Sequence, residues 1–144
     1  MVITVNSVEE TRGFGAQVAA ITSPGDVFAL EGDLGTGKTE FVRGFVGVLA
    51  PQTIVRSPSF AIVNIYPTPA FPVYHFDFYR LADQSELIEI GFDDYAAGNG
   101  TCIIEWGTMF PDALPAITRH IRFTDKGITR REIEYDFDTT LISC

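Results

Sequence analysis

The chain has 144 residues, of which 46% are hydrophobic, and its 19 Asp and Glu residues outnumber 10 Lys and Arg residues, for a net charge of −9. The apolar content excludes intrinsic disorder, and the length predicts one globular domain, residues 1–144. The acidic charge argues against a general grip on nucleic acid, so no DNA partner is expected. No apolar run approaches the roughly 20 residues of a membrane span, and no secretory signal is evident, so we expect a cytoplasmic protein.

The first half of the chain predicts two pairs of a strand followed by a helix. Val2–Val5 has strand composition, and Ser7 with Glu10 forms a capping box, in which each side chain accepts from a backbone N–H at the start of a helix. That helix is predicted to end near residue 21. Residues 26–31 form a short apolar strand that runs into a glycine-rich loop. A second helix is then indicated by apolar residues at helical spacing, namely Phe41, Val42, Phe45, Val46 and Leu49.

The second half predicts mostly strands. Alternating residues at 60–66 and 73–79 flank a proline-rich turn and predict an antiparallel pair, and residues 83–90 predict a short capped helix. Thr101–Glu105 is an apolar strand that ends in an acid, and residues 117–124 and 130–137 predict a hairpin. The two cysteines, Cys102 and Cys144, are in no metal-ligand spacing, so neither a zinc site nor a disulfide framework is indicated, and Cys102 is predicted to lie in the core.

The glycine-rich loop carries the strongest chemical signal. Residues 32–39 match G-x-x-x-x-G-K-[ST], a pattern with a chance occurrence of roughly one in two hundred in a chain of this length. Between a strand and a helix, such a loop aims backbone N–H groups at phosphates; Lys38 would reach the β- and γ-phosphates, and the Thr39 hydroxyl would bind Mg²⁺. The pattern predicts a nucleotide site formed by Asp33, Leu34, Gly35, Thr36, Gly37, Lys38 and Thr39. Because no Asn-Lys-x-Asp-like motif is present to read guanine, the base is predicted to be adenine.

Two acids are candidates for the chemistry that a phosphate loop alone does not supply. Glu105 ends an apolar strand, where ligands of α/β sheets gather, and is predicted to hold Mg²⁺ or to position a nucleophile. The alternative is an ordinary carboxylate at a strand end. Asp77 is the second candidate, and it shares one strand face with His75 and Tyr79. The alternative is that the side chains of His75 and Asp77 simply face water.

These residues together resemble the TsaE family, the P-loop ATPases of bacterial tRNA threonylcarbamoyladenosine synthesis. The resemblance covers nearly the whole chain. It is carried, in order, by the loop 32–39, Arg43-Gly44, Ser57-Pro58-Ser59-Phe60, His75-Phe76-Asp77-Phe78-Tyr79-Arg80-Leu81, the segment 86–91 and Ile104-Glu105-Trp106. The family more often has Thr where this chain has Ser59. The implied fold is α/β, a P-loop NTPase-like mixed β-sheet flanked by helices, with antiparallel hairpin additions.

The resemblance also implies an activity and partners. It implies an ATPase that uses ATP and Mg²⁺, with Thr39 and Glu105 at the metal and Lys38, Asp77 and Glu105 in the catalytic region. It implies TsaB and TsaD as partners, with tRNA contacted only indirectly, and the threonylcarbamoyl transfer to adenosine 37 performed by a partner. A nucleotide-dependent interaction module and a small-molecule kinase are the alternative functions.

Weaker parts of the resemblance concern residues outside these motifs. Thr11, with Ser7, matches a stretch near the adenine, and Arg131 matches an arginine near the nucleotide, with Arg130 as its competitor. Trp106 either stacks on a ligand or belongs to the core.

Charge is unevenly distributed along the chain. Residues 81–118 contain no Lys or Arg, which predicts either a solvated surface or a docking surface for a basic partner. The seven acids of this run are Asp83, Glu86, Glu89, Asp93, Asp94, Glu105 and Asp112. Basic residues instead gather near the C-terminal hairpin, at Arg119, Arg122, Lys126, Arg130 and Arg131.

Overall fold

The computed structural model describes residues 1–33, 35–58 and 61–137. Seven strands form one mixed sheet in the order β1-β7-β6-β2-β5-β4-β3. The strands are β1 Val2–Val5, β2 Val27–Glu31, β3 Val63–Tyr66, β4 Val73–Asp77, β5 Thr101–Glu105, β6 Arg119–Asp125 and β7 Arg131–Tyr135. The helices are α1 Val8–Ile21, α2 Lys38–Leu49, α3 Ser85–Glu89 and α4 Phe92–Ala96, and short 3₁₀ helices span Gly107–Met109 and Pro111–Ala113.

The direction of the strands determines where a ligand site can form. Strand β2 pairs in parallel with both β5 and β6, and β5 pairs in parallel with β4. The carboxyl ends of these four strands therefore lie at one edge of the sheet, as in other α/β proteins that bind ligands there. Strands β3, β7 and β1 add to the two sides in antiparallel pairs, which confirms the predicted α/β class with antiparallel additions.

Neighbouring residues on the central strands divide between two apolar clusters, one on each face of the sheet. Phe28 and Ile103 belong to the cluster under α1 and α2, whereas Val27 and Ile104 belong to the cluster that includes Leu87 of α3 and Phe92 of α4. All four of these strand residues are at most 1% exposed. Burial on both faces explains why β2 and β5 are continuously apolar, which is typical of central parallel strands.

The helix start at Ser7 is close to the predicted capping box. The Ser7 hydroxyl accepts from the backbone N–H of Glu10 at 3.1 Å. The Glu10 carboxylate accepts from the backbone N–H of Asn6, one residue before the cap itself. Both side chains therefore satisfy backbone donors at the start of α1, as predicted.

The segment between β4 and β5 differs most from the prediction. The strand predicted at 73–79 ends at Asp77, because the Asp77 carboxylate accepts from the Tyr79 N–H at 2.9 Å and turns the chain. The helix predicted at 83–90 is limited to Ser85–Glu89, and helix α4 follows it unpredicted. Gly91, with φ of 73°, separates the two helices, and a five-residue helix is too short to show a period.

The remaining predicted elements are confirmed with small changes. The strand predicted at 60–66 begins at Val63, and residues 59 and 60 lie outside the described residues. The predicted hairpin is present as β6 and β7. None of the helices in the described ranges has the length and apolar character that a membrane crossing requires.

Helices α1 and α2 approach so closely that two glycines are required at their contact. A Cβ atom at Gly44 would lie 1.9 Å from the carbonyl oxygen of Arg12, and one at Gly15 would lie 2.2 Å from that of Phe41. Both obstacles are backbone atoms, so a side chain cannot be accommodated by a rotamer change. Gly44 is therefore needed for the packing of α2, which carries Lys38 and Thr39 at its first turn.

We expect Gly44→Ala to destabilise the protein by about 3 kcal/mol, because the two helices must move apart. Gly47, in the same helix, is the matched control, since a Cβ there would meet nothing within 4 Å. Gly47→Ala should stabilise the protein by about 0.5–1 kcal/mol, because alanine loses less backbone entropy on folding. Urea unfolding measures both changes, and equal stabilities of the two variants would contradict the close contact.

Cys102 lies in the core, as predicted, and is 0% exposed. Burial raises the pKa of its thiol from 9.0 to about 12. Between these values the unfolded thiol loses its proton while the native thiol keeps it. The native state then binds more protons than the unfolded state, so the free energy of unfolding falls as the pH rises above about 9.

The expected loss is about 1.4 kcal/mol between pH 8 and pH 10. Urea unfolding of Cys144→Ser and of Cys102→Ala/Cys144→Ser at both pH values isolates the effect of Cys102, because other titrating groups are common to the two proteins. From pH 8 to pH 10, the protein that keeps Cys102 should lose that much more free energy of unfolding than the protein with Cys102→Ala. A constant difference would show that Cys102 ionises equally in both states.

Candidate active site

The loop between β2 and α2 has the backbone shape of a phosphate-binding loop. Gly35 and Gly37 have φ of 80° and 107°, in the left-handed region that favours glycine. The Thr36 hydroxyl donates to the carbonyl oxygen of Asp33 at 2.7 Å and closes the turn. The N-cap residue of α2 is Gly37, which has no side chain to cap the helix, so the first N–H groups of this helix suit an anion. Leu34, which the sequence includes in the site, lies outside the described residues.

Lys38 is buried inside this loop. Its ammonium group donates to the carbonyl oxygen of Gly32 at 2.6 Å and lies 4.2 Å from the centre of the Trp106 ring. Burial lowers the pKa of Lys38, and the carboxylates of Glu105, Asp77 and Asp33 oppose that shift. A desolvated cation held by one carbonyl and one aromatic ring interacts strongly with an anion that enters the loop.

The sheet brings the two predicted acids together. Asp77 and Glu105 end β4 and β5 and are register partners in the parallel ladder. They are 7% and 5% exposed. With Lys38 and Thr39, they line a cavity of about 120 Å³ that also includes Gly35, Gly37, Ser57 and Trp106.

Burial decides the alternative drawn for His75 and Asp77. His75 is 0% exposed, and its Nε2 atom lies 2.6 Å from Oε2 of Glu105. The alternative that His75 and Asp77 both face water is therefore wrong, because β4 is covered on both faces. Glu105 does lie at a strand end, where it is buried and paired with His75.

The donors in the cavity suit a hard cation. The Thr39 hydroxyl and the carboxylates of Asp77 and Glu105 are oxygen ligands, which Mg²⁺ prefers. The described ranges hold no group of three or more His, Cys, Asp or Glu side chains able to form a complete metal cage. Mg²⁺ in nucleotide sites is commonly held by one or two carboxylates together with substrate phosphates, so these residues fit a metal that arrives with a nucleotide.

A second cavity, of about 180 Å³, lies on the other side of the loop. Its lining includes Thr11 of α1 and Arg131 of β7, the two residues that the sequence placed near the nucleotide only through weak resemblance. Arg131 donates to the carbonyl oxygens of Gly35 at 3.3 Å and of Gly127 at 3.1 Å. Arg131 therefore touches the phosphate loop, whereas Arg130 is exposed. The remaining lining residues are Ser7, Val8, Gly35, Thr36, Gly37, Glu40, Ile128 and Thr129.

Trp106 belongs to the edge of the site as well as to the edge of the core. Its ring contacts Tyr79 at 5.0 Å between centroids and packs partly on the apolar cluster under α3 and α4. It is one of two non-glycine residues with positive φ in the described ranges, at 60°. Trp106 therefore packs partly on the core, as one alternative predicted, and it also contacts Lys38. Stacking on a ligand stays a prediction.

The charged segments outside the cavity are mostly surface features. Three of the hairpin arginines pair with acids: Arg119 with Asp26, Arg122 with Glu31 and Glu134, and Arg131 with Asp125. Of the seven acids in the run 81–118, Glu105 alone belongs to the cavity. The other six are exposed or half-buried, which is typical of a solvated surface.

Comparison with known proteins identifies the family of this chain. Residues 5–133 match the family described as "Threonylcarbamoyl adenosine biosynthesis protein TsaE". The chain belongs to the TsaE family. It is 42% identical over 132 residues to the tRNA threonylcarbamoyladenosine biosynthesis protein TsaE of Bacillus subtilis (strain 168), covering 92% of this chain and 82% of that protein. To the TsaE of Rickettsia bellii (strain RML369-C) it is 39% identical over 112 residues, 77% of each chain.

The fold of a solved TsaE-family relative is also similar. The crystal structure of Bacillus subtilis YdiB matches with a TM-score of 0.81 at 36% identity, covering 94% of this chain and 83% of that chain. The family match includes both the glycine-rich loop and Arg131. The family predicted from the sequence motifs is therefore confirmed.

Sequence reasoning missed three features of the site. Ser57 lines the smaller cavity, and Ile128 and Thr129 of the β6–β7 turn line the larger one. The signal for Ser57 was its place in the Ser57-Pro58-Ser59-Phe60 block, which carries part of the resemblance to the TsaE family. No sequence signal pointed to Ile128 or Thr129, because their position depends on how the hairpin folds over the loop.

Proposed function

We propose that this chain is a Mg²⁺-dependent ATPase that serves threonylcarbamoyl modification of adenosine 37 in tRNAs reading ANN codons. It would act in the cytoplasm on the partner proteins TsaB and TsaD, and the transfer reaction itself would belong to the partners. The observation that carries the proposal is the 120 Å³ cavity in which Lys38, Thr39, Asp77 and Glu105 meet at the end of a phosphate-binding loop. Membership of the TsaE family supports the biological role.

ATP would bind across the cavities of about 120 and 180 Å³, both of which are lined by Gly35 and Gly37. The backbone N–H groups at Gly35 and Gly37 and the start of α2 would hold the phosphates, and Lys38 would exchange the Gly32 carbonyl for phosphate oxygens. The larger cavity, with Thr11 and Arg131, would receive the nucleoside end. The adenine preference rests on the missing guanine-reading motif.

Hydrolysis would use the two buried acids in different roles. Thr39 and Glu105 would hold Mg²⁺, which when bound neutralises charge on the phosphates. Asp77 would accept a hydrogen bond from the attacking water and orient it, since Glu105 is paired with His75 and would also hold the cation. The bond between the γ-phosphorus and the bridging oxygen breaks as the water oxygen adds, giving ADP and inorganic phosphate.

The composition of the cavity also supports slow hydrolysis by the chain alone. Of the eight described residues that line it, Lys38 is the one cation. Many phosphoryl-transfer enzymes use a further arginine at the transferred group, worth roughly 10³–10⁵ in rate. Here Arg131 lies in the neighbouring cavity and donates to Asp125 and to three backbone carbonyls. A partner protein would therefore be needed to complete the site.

The test is ATP hydrolysis by the purified chain with and without TsaB and TsaD. We expect little phosphate release alone and a rise of at least about 100-fold with the partners. Equal turnover under both conditions would refute an activity gated by the partners. If tRNA modification persists in a strain whose Glu105→Ala protein still binds ATP, the result would instead favour a non-hydrolytic interaction module.

A further inference from the structure

A buried polar contact joins His75 of β4 to Glu105 of β5. His75 follows Val73 on the same face of β4, and both side chains are completely buried. Its Nε2 atom lies 2.6 Å from Oε2 of Glu105, across the parallel pair of β4 and β5. Its Nδ1 atom is the one buried side-chain nitrogen or oxygen in the described ranges that has no hydrogen-bond partner.

An apolar residue would satisfy the packing at position 75 better than histidine does. The ring of His75 lies against Tyr66, 6.1 Å between centroids, and next to Ile103 in the strand register. A buried nitrogen without a partner costs free energy that a leucine of similar volume would avoid. The benefit of histidine at this position must therefore come from its one polar contact, which is the contact with Glu105.

The unpaired nitrogen defines how that contact is made. A carboxylate can only accept, so the Nε2 atom carries the proton and donates to Oε2 of Glu105. In the neutral imidazole the unpaired Nδ1 atom is an acceptor, and an unpaired acceptor is tolerated in a protein interior more often than an unpaired N–H donor. His75 thereby fixes one oxygen of Glu105 and leaves Oε1 for the cavity that Glu105 lines.

We propose that His75 is a positioning residue that orients the Glu105 carboxylate for a divalent cation bound with the nucleotide. This inference rests on the proposed function, in which Glu105 is a ligand of Mg²⁺. Residues that hydrogen-bond to metal ligands fix their orientation, and their loss commonly weakens metal affinity or activity by 10–100-fold. His75 is not one of the residues that line the cavity, and it would act through Glu105, the lining residue with which it shares a hydrogen bond.

Three variants separate the hydrogen bond from the packing. His75→Leu removes the donor and retains the volume. His75→Gln places an amide N–H near the position of Nε2, and His75→Asn places one near Nδ1, where it is too short to reach Glu105. Should the leucine variant fail to fold, the comparison of the glutamine and asparagine variants still tests the contact, because both are polar amides.

The primary readout is binding of Mn²⁺, followed by electron paramagnetic resonance in the presence of ADP. We expect His75→Leu and His75→Asn to weaken Mn²⁺ binding about 10–100-fold, and His75→Gln to recover most of the loss. Binding of ADP in EDTA should be the same in all four proteins. In hydrolysis assays with the partners, kcat should fall in the leucine and asparagine variants while KM for ATP changes little.

Wild-type affinity for Mn²⁺ in either His75→Leu or His75→Asn would overturn the proposal, as would a wild-type protein that binds ADP but no Mn²⁺. Failure of the proposed function would look different. The wild-type protein would then bind Mn²⁺ and ADP, and lose Mn²⁺ on substitution of His75, without hydrolysing ATP in the presence of its partners.

Discussion

Lys38→Ala is expected to weaken ATP binding about 100-fold and to reduce hydrolysis with the partners below detection. Lys38 is buried within the phosphate loop, and its ammonium group is already desolvated and held by the carbonyl oxygen of Gly32. A phosphate that replaces this carbonyl gains a charge-assisted hydrogen bond in a site shielded from water. Loss of that contact corresponds to about 2.7 kcal/mol of binding free energy. Isothermal calorimetry with a non-hydrolysable ATP analogue measures the change.

Lys126→Ala is the matched control, since Lys126 is the other lysine of the chain and is exposed in the turn between β6 and β7. It removes the same charge from the protein without altering the phosphate loop. Binding within about 3-fold of wild type is expected for this variant, because an exposed charge is screened at physiological salt. Equal losses in the two variants would mean that overall charge, rather than the loop, governs binding.

Local sequence patterns were sufficient to predict most elements of this fold. The capping side chain of Ser7, the apolar strands at 27–31 and 101–105, and the hairpin turn near Gly127 each act within a few residues of the chain. The helix α4 escaped prediction because it has five residues and is separated from α3 only by the left-handed backbone of Gly91. The early end of β4 depends on a contact between the Asp77 side chain and the Tyr79 N–H, which no periodicity expresses.

The phosphate loop was predictable for the same reason as the elements, since its residues are contiguous. The contact region formed by the two acids could not be predicted in this way, because it depends on the tertiary structure. Asp77 and Glu105 are 28 positions apart in the sequence, and their meeting depends on the parallel register of β4 and β5. The same register buries His75 against Glu105. Alternation along the strand left open whether His75 faces water, but in the structure it is the most buried polar side chain at the site. The contact of Arg131 with Gly35 depends on how the hairpin lies over the loop.

Glu105→Gln and Asp77→Asn should each reduce hydrolysis strongly while leaving the phosphate loop intact. For Glu105→Gln we expect kcat to fall about 1000-fold and the Mg²⁺ concentration for half-maximal rate to rise, because a neutral amide is a poorer ligand for a hard cation. For Asp77→Asn we expect kcat to fall about 100-fold at saturating Mg²⁺, because the amide accepts less strongly from the attacking water. Steady-state assays with the partners over a range of Mg²⁺ concentrations separate the two effects.

The matched controls are Glu89→Gln and Asp93→Asn, which make the same chemical changes at exposed acids of α3 and α4. These variants should retain wild-type rates and Mg²⁺ dependence. If the acidic surface also contacts the partners, activation by the partners would fall, but the Mg²⁺ dependence would not change. The pattern for the buried acids decides their roles. If Asp77→Asn raises the Mg²⁺ requirement and Glu105→Gln does not, the assignments are reversed, and His75 would then orient the group that holds the water.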